Sequence, residues 1–478
     1  MTGQLTGAQI VEAGLAAART AGGDETVVVA QAETAANIRW ANNTMTTNGL
    51  TDGLSFYVVA IRNGAAGTVA GSVIDAADAS AVAAVVARAE AAAVATAAGG
   101  RARDAMPLVA PAPSAGSEAS GRSGDDFTAD PAPGGFEIFD ALITGLGRSI
   151  DAARSAGTVL FGFARHELTT SYLGTSTGVR RRWVQPTGIL EVNAKSGDLA
   201  RSSWSGSSTT DFADVDVARV AESLTARLGW SDRRIELPPG RYDTVLPPTA
   251  VADFMVQLGW SAAARPAHEG RSAFAAPGGG VRTGTRLTDL GLTLATDPTA
   301  PGLACTPFVV TGSSSDSASV FDNGAAIGRT ELVRDGVIHS LAHTRGSAQE
   351  YGEPFTPVAD NLLLTGGVPD RSEAELIAGV ERGLLVTSQW YLREVDPMTL
   401  LLTGLTRDGV FLIEHGEITA EVNNFRFNMS PLDVLRQAVD VGDTQRTLSR
   451  EWSDWFTRSA MPPMRVAGFN MSSVSRAT

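Results

Sequence analysis

Residues 239–264 read PGRYDTVLPPTAVADFMVQLGWSAAA. Beyond the Pro247-Pro248 pair a helical period begins. Val251, Phe254, Met255, Leu258 and Ala262 recur at i, i+3, i+4, i+7 and i+11, the stripe of a helix that packs against a core. The spacing predicts a helix near 249–264 with Thr249 as its N-cap. Just upstream, Ser231 to Gly240 is a charged, proline-ended connector, and the main domain boundary is placed there. This gives an N-terminal domain over 1–235 and a C-terminal domain over 236–478.

Working towards the N-terminus, Asp214–Leu228 and Phe136–Ser155 read as helices, with a β-meander over Thr158–Ser207 between them. A segment rich in Pro, Gly and Ser, about 99–135, reads as a flexible loop. Before it come helices near Thr6–Ala21 and Ala76–Ala97. Between these lie short β-type runs at 26–32, 36–42, 54–62 and 67–74, punctuated by Asn42-Asn43, Asn48-Gly49 and Asn63-Gly64. Towards the C-terminus, short strands and glycine turns fill the chain to about Gly367. Helices follow at Ser372–Gly383 and Ser430–Asp440, with strands to Asn428 and at Met464–Phe469. The fold class is α+β: an N-terminal α/β domain with an antiparallel meander sheet and flanking helices, then a mostly antiparallel, barrel-like β domain around a central helix.

Composition narrows the function. The 478 residues are 43% hydrophobic and 19% charged, an ordinary globular balance. The net charge of −14 opposes contact with phosphate backbones or anionic membranes. Cys305 is the only cysteine, so neither an internal disulfide nor a cysteine-only zinc cluster can form. Lys195 is the only lysine, which leaves one candidate for Schiff-base chemistry. Met1–Thr20 has no apolar leader core, and Ala79–Ala98 is interrupted by Arg88 and Glu90; the expectation is a cytoplasmic protein with no membrane partner.

The motifs that carry chemistry do not close. Gly174-Thr175-Ser176-Thr177-Gly178 matches a nucleophile-elbow pattern, but β-like flanks make it a hairpin tip. Arg180-Arg181-Arg182-Trp183 alternates faces on a strand, and Gly278-Gly279-Gly280 has no lysine to make a phosphate loop. His166-Glu167 and His268-Glu269 lack the second histidine that a zinc-binding helix places one turn on. His339 and His343 have the i, i+4 spacing. They read as strand residues, however, and so would stand ~13 Å apart.

A family resemblance organises these observations. Ile38-Arg39-Trp40-Ala41-Asn42-Asn43 with Thr47-Asn48-Gly49, the run from Pro239 to Pro248, Gly270-Arg271-Ser272-Ala273-Phe274 and Phe321-Asp322-Asn323-Gly324 occur in order. Asn361 to Gly367, the helix from Glu375 to Gly383, Leu384-Leu385-Val386 and Gly409 to Ile418 complete the set. The ordered set resembles the TldD/PmbA family, also described as modulators of DNA gyrase. The resemblance implies a two-subunit cytoplasmic metallopeptidase. Its TldD-type subunit binds zinc through His-Glu-x-x-x-His on the central helix and a distant cysteine; its TldE/PmbA-type subunit lacks them. Counted back without gaps from Ser272-Ala273-Phe274, the implied metal positions hold Met255, Val256 and Trp260, and no cysteine follows Asn423.

The resulting expectation is a TldE/PmbA-type subunit with no catalytic or metal residues and no cofactor of its own. It would pair with a TldD-type partner that carries the zinc, and help hold a peptide or unfolded-protein substrate, by β-addition at strand edges of the C-terminal half. Two alternatives stand beside it. One is a free-standing metal-dependent hydrolase using His339, His343, His268 and Glu269. The other is a non-enzymatic binding protein or homodimer that acts on a folded target, without direct nucleic-acid contact.

Overall fold

The computed structural model describes residues 4–72, 74–111 and 127–475. The N-terminal half is one six-stranded antiparallel sheet of order β3-β2-β1-β4-β5-β6. Its strands are β1 (Glu25–Ala41), β2 (Thr44–Arg62), β3 (Ala65–Gly71), β4 (Thr158–Thr175), β5 (Arg180–Ser196) and β6 (Ser202–Thr209). Helices α1 (Gly7–Ala21) and α2 (Ala79–Ala97) bury Val28, Ala30, Phe56 and Val58 from one side. Helices α3 (Asp140–Ala156) and α4 (Val217–Gly229) pack over Ala36, Ile38, Trp40 and Leu190.

The turns follow from local chemistry. Asn42-Asn43 and Asn63-Gly64 adopt positive φ at both positions, the geometry of two-residue hairpins that match strand twist. Asn48-Gly49 makes no turn: it lies inside β2, and the four short runs expected here are two long strands with β3 beside them. Residues 44–55 of β2 pair with β1 alone, because β3 covers only 56–62. Gly174–Gly178 is the β4–β5 hairpin tip, as expected.

Helix α2 is long and apolar enough to cross a membrane by length and composition. Its Val82, Val85, Val86, Ala89 and Ala93 nevertheless pack into the core with α1 and the sheet. Of the 99–135 segment, residues 112–126 lie outside the described residues. The rest is packed rather than free: Ala105 and Leu108 are buried beside Phe308 and Phe321, and Phe127 stacks edge-on against Tyr172.

The C-terminal half contributes β7 (Arg234–Ile235), β8 (Gly240–Leu246), α5 (Pro248–Ser261), α6 (Ala264–His268), β9 (Thr293–Thr296), β10 (Thr330–Arg334), β11 (Val337–Ile338), α7 (Arg345–Tyr351), β12 (Leu362–Thr365) and α8 (Glu373–Ala378). Then come β13 (Arg382–Asp396), β14 (Leu401–Glu414), β15 (Glu417–Val422), β16 (Phe425–Met429), α9 (Pro431–Arg436), β17 (Ala438–Val441), β18 (Gln445–Thr447), β19 (Ser459–Met461) and β20 (Met464–Val474). Strands β13, β8, β20, β16 and β14 pair in sequence, and β14 pairs back onto β13, so five strands close a barrel. A second sheet has the order β11-β10-β9-β12-β19-β18. The short β7 pairs with β15 in parallel, joining the strands of the C-terminal half.

The central helix forms where its period predicted, but its start differs. Pro247 occupies the cap position and Pro248 the first turn, where a missing N–H costs nothing; Thr249 is inside the helix. The helix α5 packs on both sheets. Phe254 reaches Phe427 and Phe469 of the barrel, and Gly259 faces Leu362 of β12. The expected helices at 372–383 and 430–440 are one and a half turns each, because β13 and β17 begin soon after and are claimed by their sheets.

Candidate functional site

Helix α5 presents two different surfaces. Met255 and Val256 are buried among the aliphatic residues that join the two sheets. Trp260, one turn on, is 44% exposed, with its ring edge-on to Trp452 at 5.1 Å and to Phe456 at 6.1 Å. Between α5, β10 and β12 lies a pocket of about 210 Å³, walled by Val256, Gly259, Trp260, Leu332, Val358 and Phe456. Several polar side chains on its lining have protein partners, although the Asp360 side chain remains 61% exposed. Thr296 Oγ1 accepts from the Ala359 amide. The Asn361 side chain accepts from Asp297 N and donates to two carbonyls, and Asp360 is paired with Arg458 at 2.6 Å.

On the same helix, Asp253 was not singled out by the sequence pattern, yet it is fully buried. Its Oδ1 accepts from Ser449 Oγ at 2.5 Å and from Glu451 N at 3.0 Å, while its Oδ2 has no partner. The Asp253 carbonyl accepts from Trp452 Nε1, so the 449–452 segment is strapped onto α5. Burial pushes the Asp253 carboxyl up to about 7. The signal in the sequence is a lone carboxylate among apolar neighbours, Ala252 and Phe254.

The histidines converge more than their sequence spacing suggested. Strand β11 ends at Ile338, and Ala342 and His343 make isolated bridges to Ala263 and Thr356. His339 and His343 therefore do not run along one regular strand. Both line a pocket of about 450 Å³ with Arg329, Glu331, Arg334 and Glu353. His268 ends the short helix α6. There it stacks on Tyr351 at 3.9 Å, with its ring 5.8 Å from that of His343. Burial holds His343 down to about 4, with His268 adding to the effect, so its imidazole is neutral at physiological pH.

Two of the carboxylates nearby are committed elsewhere. Glu269 ion-pairs with Arg271 and Arg103, which hold its carboxyl below the usual range. Glu331 is engaged by Arg334 and Arg329. His166 lies in the other half, bonded to the Thr210 carbonyl at 2.9 Å and held down by burial. Cys305 is buried, and burial pushes its thiol up to about 12.

A zinc ion needs three or four imidazole, thiolate or carboxylate ligands converging within about 2.3 Å. Among the described residues no group of three His, Cys, Asp or Glu is placed to hold a metal. Met255, Val256 and Trp260 offer neither imidazole nor carboxylate, and two of them are core residues. The residues present on α5 do not fit the metal that the family resemblance attaches to this helix.

Residues 239–473 match the family model described as the PmbA/TldA metallopeptidase C-terminal domain. Over that C-terminal half the chain belongs to the TldD/PmbA family. Solved structures resemble it over nearly its whole length. TldE from Thermococcus kodakarensis superposes with a TM-score of 0.75 at 15% identity, covering 96% of this chain and 98% of that one. A candidate modulator of a DNA gyrase from Thermotoga maritima gives 0.74 at 15%, covering 96% and 99%. A third, a candidate modulator of DNA gyrase from Bacteroides thetaiotaomicron, gives 0.73 at 14%, covering 97% and 98%. No curated protein sequence matches the chain. At these identities the solved structures establish the shared α+β fold, and the family's C-terminal domain includes α5 and both pockets.

Proposed function

We propose that this chain is a non-catalytic, TldE/PmbA-type subunit of a heteromeric peptidase, working beside a TldD-type partner that carries the zinc. One observation supports this above the others. The central helix lies within the segment that matches the family's C-terminal domain, and Met255, Val256 and Trp260, where the resemblance implies a metal motif, carry no metal-ligating group and pack against their neighbours. The chain's contribution is then structural. It completes a chamber with its partner and helps hold an extended peptide or unfolded segment, through main-chain hydrogen bonds and apolar contacts.

The test is reconstitution. Purified chain mixed with a TldD-type subunit should form a complex and raise or stabilise that subunit's peptidase activity. Unchanged partner activity with no complex would refute the reading. Elemental analysis of the chain purified alone should find little zinc; about one zinc per chain would also refute it.

A further inference from the structure

We infer that the pocket between α5, β10 and β12 is a side-chain pocket, which seats one aromatic or large aliphatic side chain of an extended peptide. The choice of a peptide as ligand rests on the subunit reading above. The choice of an apolar side chain rests on the pocket itself.

Size comes first. About 210 Å³ is several times the ~30 Å³ share of a water molecule, and an engineered apolar cavity of ~150 Å³ holds benzene. It is below the ~300–1,000 Å³ of sites that enclose cofactors or drug-sized ligands. One side chain fits and a nucleotide does not.

Chemistry comes second. The walls are Val256, Leu332, Val358, Leu362 and two aromatic rings. The Thr296, Asp360 and Asn361 side chains that touch the pocket already have protein partners. Asp360 is the one charged residue on the lining, so an entering side chain would mostly meet apolar walls and gain by losing its hydration there. The opening is also built for apolar contact. Trp260 stands half out of the surface, held edge-on by Trp452 and Phe456, and Trp455 beside them is 78% exposed.

Geometry supplies the third argument. Gly259 is the one pocket residue of α5 without a side chain. A Cβ there would meet the Leu362 methyl carbons at 3.6–3.7 Å, an ordinary contact, so the position tolerates the start of a side chain at the pocket wall. Replacing glycine inside a helix also favours the helix. Gly259→Leu therefore adds apolar volume at the pocket wall, and a melt of the variant reports whether the fold tolerates it.

The experiment uses the full chain and two blocked peptides, N-acetyl-Gly-Ser-Phe-Ser-Gly-amide and the same peptide with glycine for phenylalanine. Saturation-transfer NMR titration should show the phenylalanine peptide binding at least tenfold more tightly, with the strongest transfer on its ring protons. Gly259→Leu should weaken it at least tenfold while melting no lower than the parent. Equal binding of the two peptides, or unchanged binding by Gly259→Leu, overturns the proposal. If neither peptide binds but Gly259→Leu disrupts the complex with the TldD-type subunit, the pocket takes a side chain of that subunit. The peptide proposal then falls while the subunit reading stands. Phenylalanine-dependent, Gly259-dependent binding by a chain that never pairs leaves the pocket assigned and removes the subunit reading.

Discussion

Asp253 turns the burial of one carboxyl into a measurable pH dependence. The group lies on the central helix with no exposure, and its folded pKa is about 7 against 3.8 for a free aspartate. The sign follows from which state binds the proton. Below about pH 4 both states are protonated and burial is least costly. Between about pH 4 and 7 the unfolded chain has lost its proton while the folded one keeps it, so stability falls as pH rises. Above about 7 both are ionised and the loss is complete. At ~1.36 kcal/mol per unit, the full interval amounts to ~4 kcal/mol, and the part between pH ~5 and ~7 to ~3 kcal/mol.

Asp253→Asn removes the titration but keeps an oxygen for Ser449 Oγ and Glu451 N. The two buried amide hydrogens it adds carry a cost that does not change with pH. The diagnostic is therefore the difference between the two proteins, followed by thermal melts from about pH 5 to about pH 8. Relative to the parent, the variant should gain ~3 kcal/mol across that range, or roughly 5–10 °C in the transition of the C-terminal half. A difference that stays flat with pH would refute the reasoning, because the carboxylate would then be ionised throughout and stabilised by its partners.

Other expectations follow from packing. Phe254→Ala empties a fully buried site facing Phe427 and Phe469; it should cost about 3–5 kcal/mol in urea unfolding. Arg450 is 8% exposed, pairs with Asp408, and lies over Trp204 of the N-terminal sheet and Trp390 of the barrel. Arg450→Ala leaves the buried Asp408 carboxylate with only the Ser202 hydroxyl and a more distant Arg407, and should cost about 3 kcal/mol, measured the same way. Gly67→Ala would bring a Cβ within 2.2 Å of the Ala93 backbone nitrogen and push α2 off β3, a loss of about 1–3 kcal/mol. Gly53→Ala, with nothing within 4 Å, should be neutral or mildly stabilising, and a melt of each variant separates the two cases.

The sequence was most legible where one local rule acted alone. The apolar stripe from Val251 to Ala262 placed the central helix, and Asn63-Gly64 placed its hairpin, because each depends on neighbours a few residues away. Asn48-Gly49 misled because a glycine tolerates strand geometry wherever a partner strand supplies the register, and β1 does so along its whole length. The helices near Ser372 and Ser430 came out short because strand pairing with distant segments overrode local propensity. At the candidate sites, Met255, Val256 and Trp260 were found by position in a family pattern. The stacking of His268 on Tyr351 and its approach to His343 depend on α6 and α7 meeting across some eighty residues of chain, which no local pattern records. Asp253 stayed hidden because the segment that buries it, Ser449 to Trp452, is nearly two hundred residues away.

The closed barrel has a consequence for how the protein is made. Its ring includes the pairing of Leu246 with Met464, 464 − 246 = 218 residues later. At ~5–20 residues per second, a ribosome takes ~10–40 s to synthesise that interval. Throughout that time β8 lacks one of its two neighbours, and Phe254 lacks Phe469, one of the two barrel rings that cover it. The barrel of the C-terminal half therefore closes only after β20 has been synthesised, and apolar surface that it will cover stays open until then. A message truncated before codon 464 yields a product without β20, the strand that bridges β8 and β16, so its barrel ring stays open.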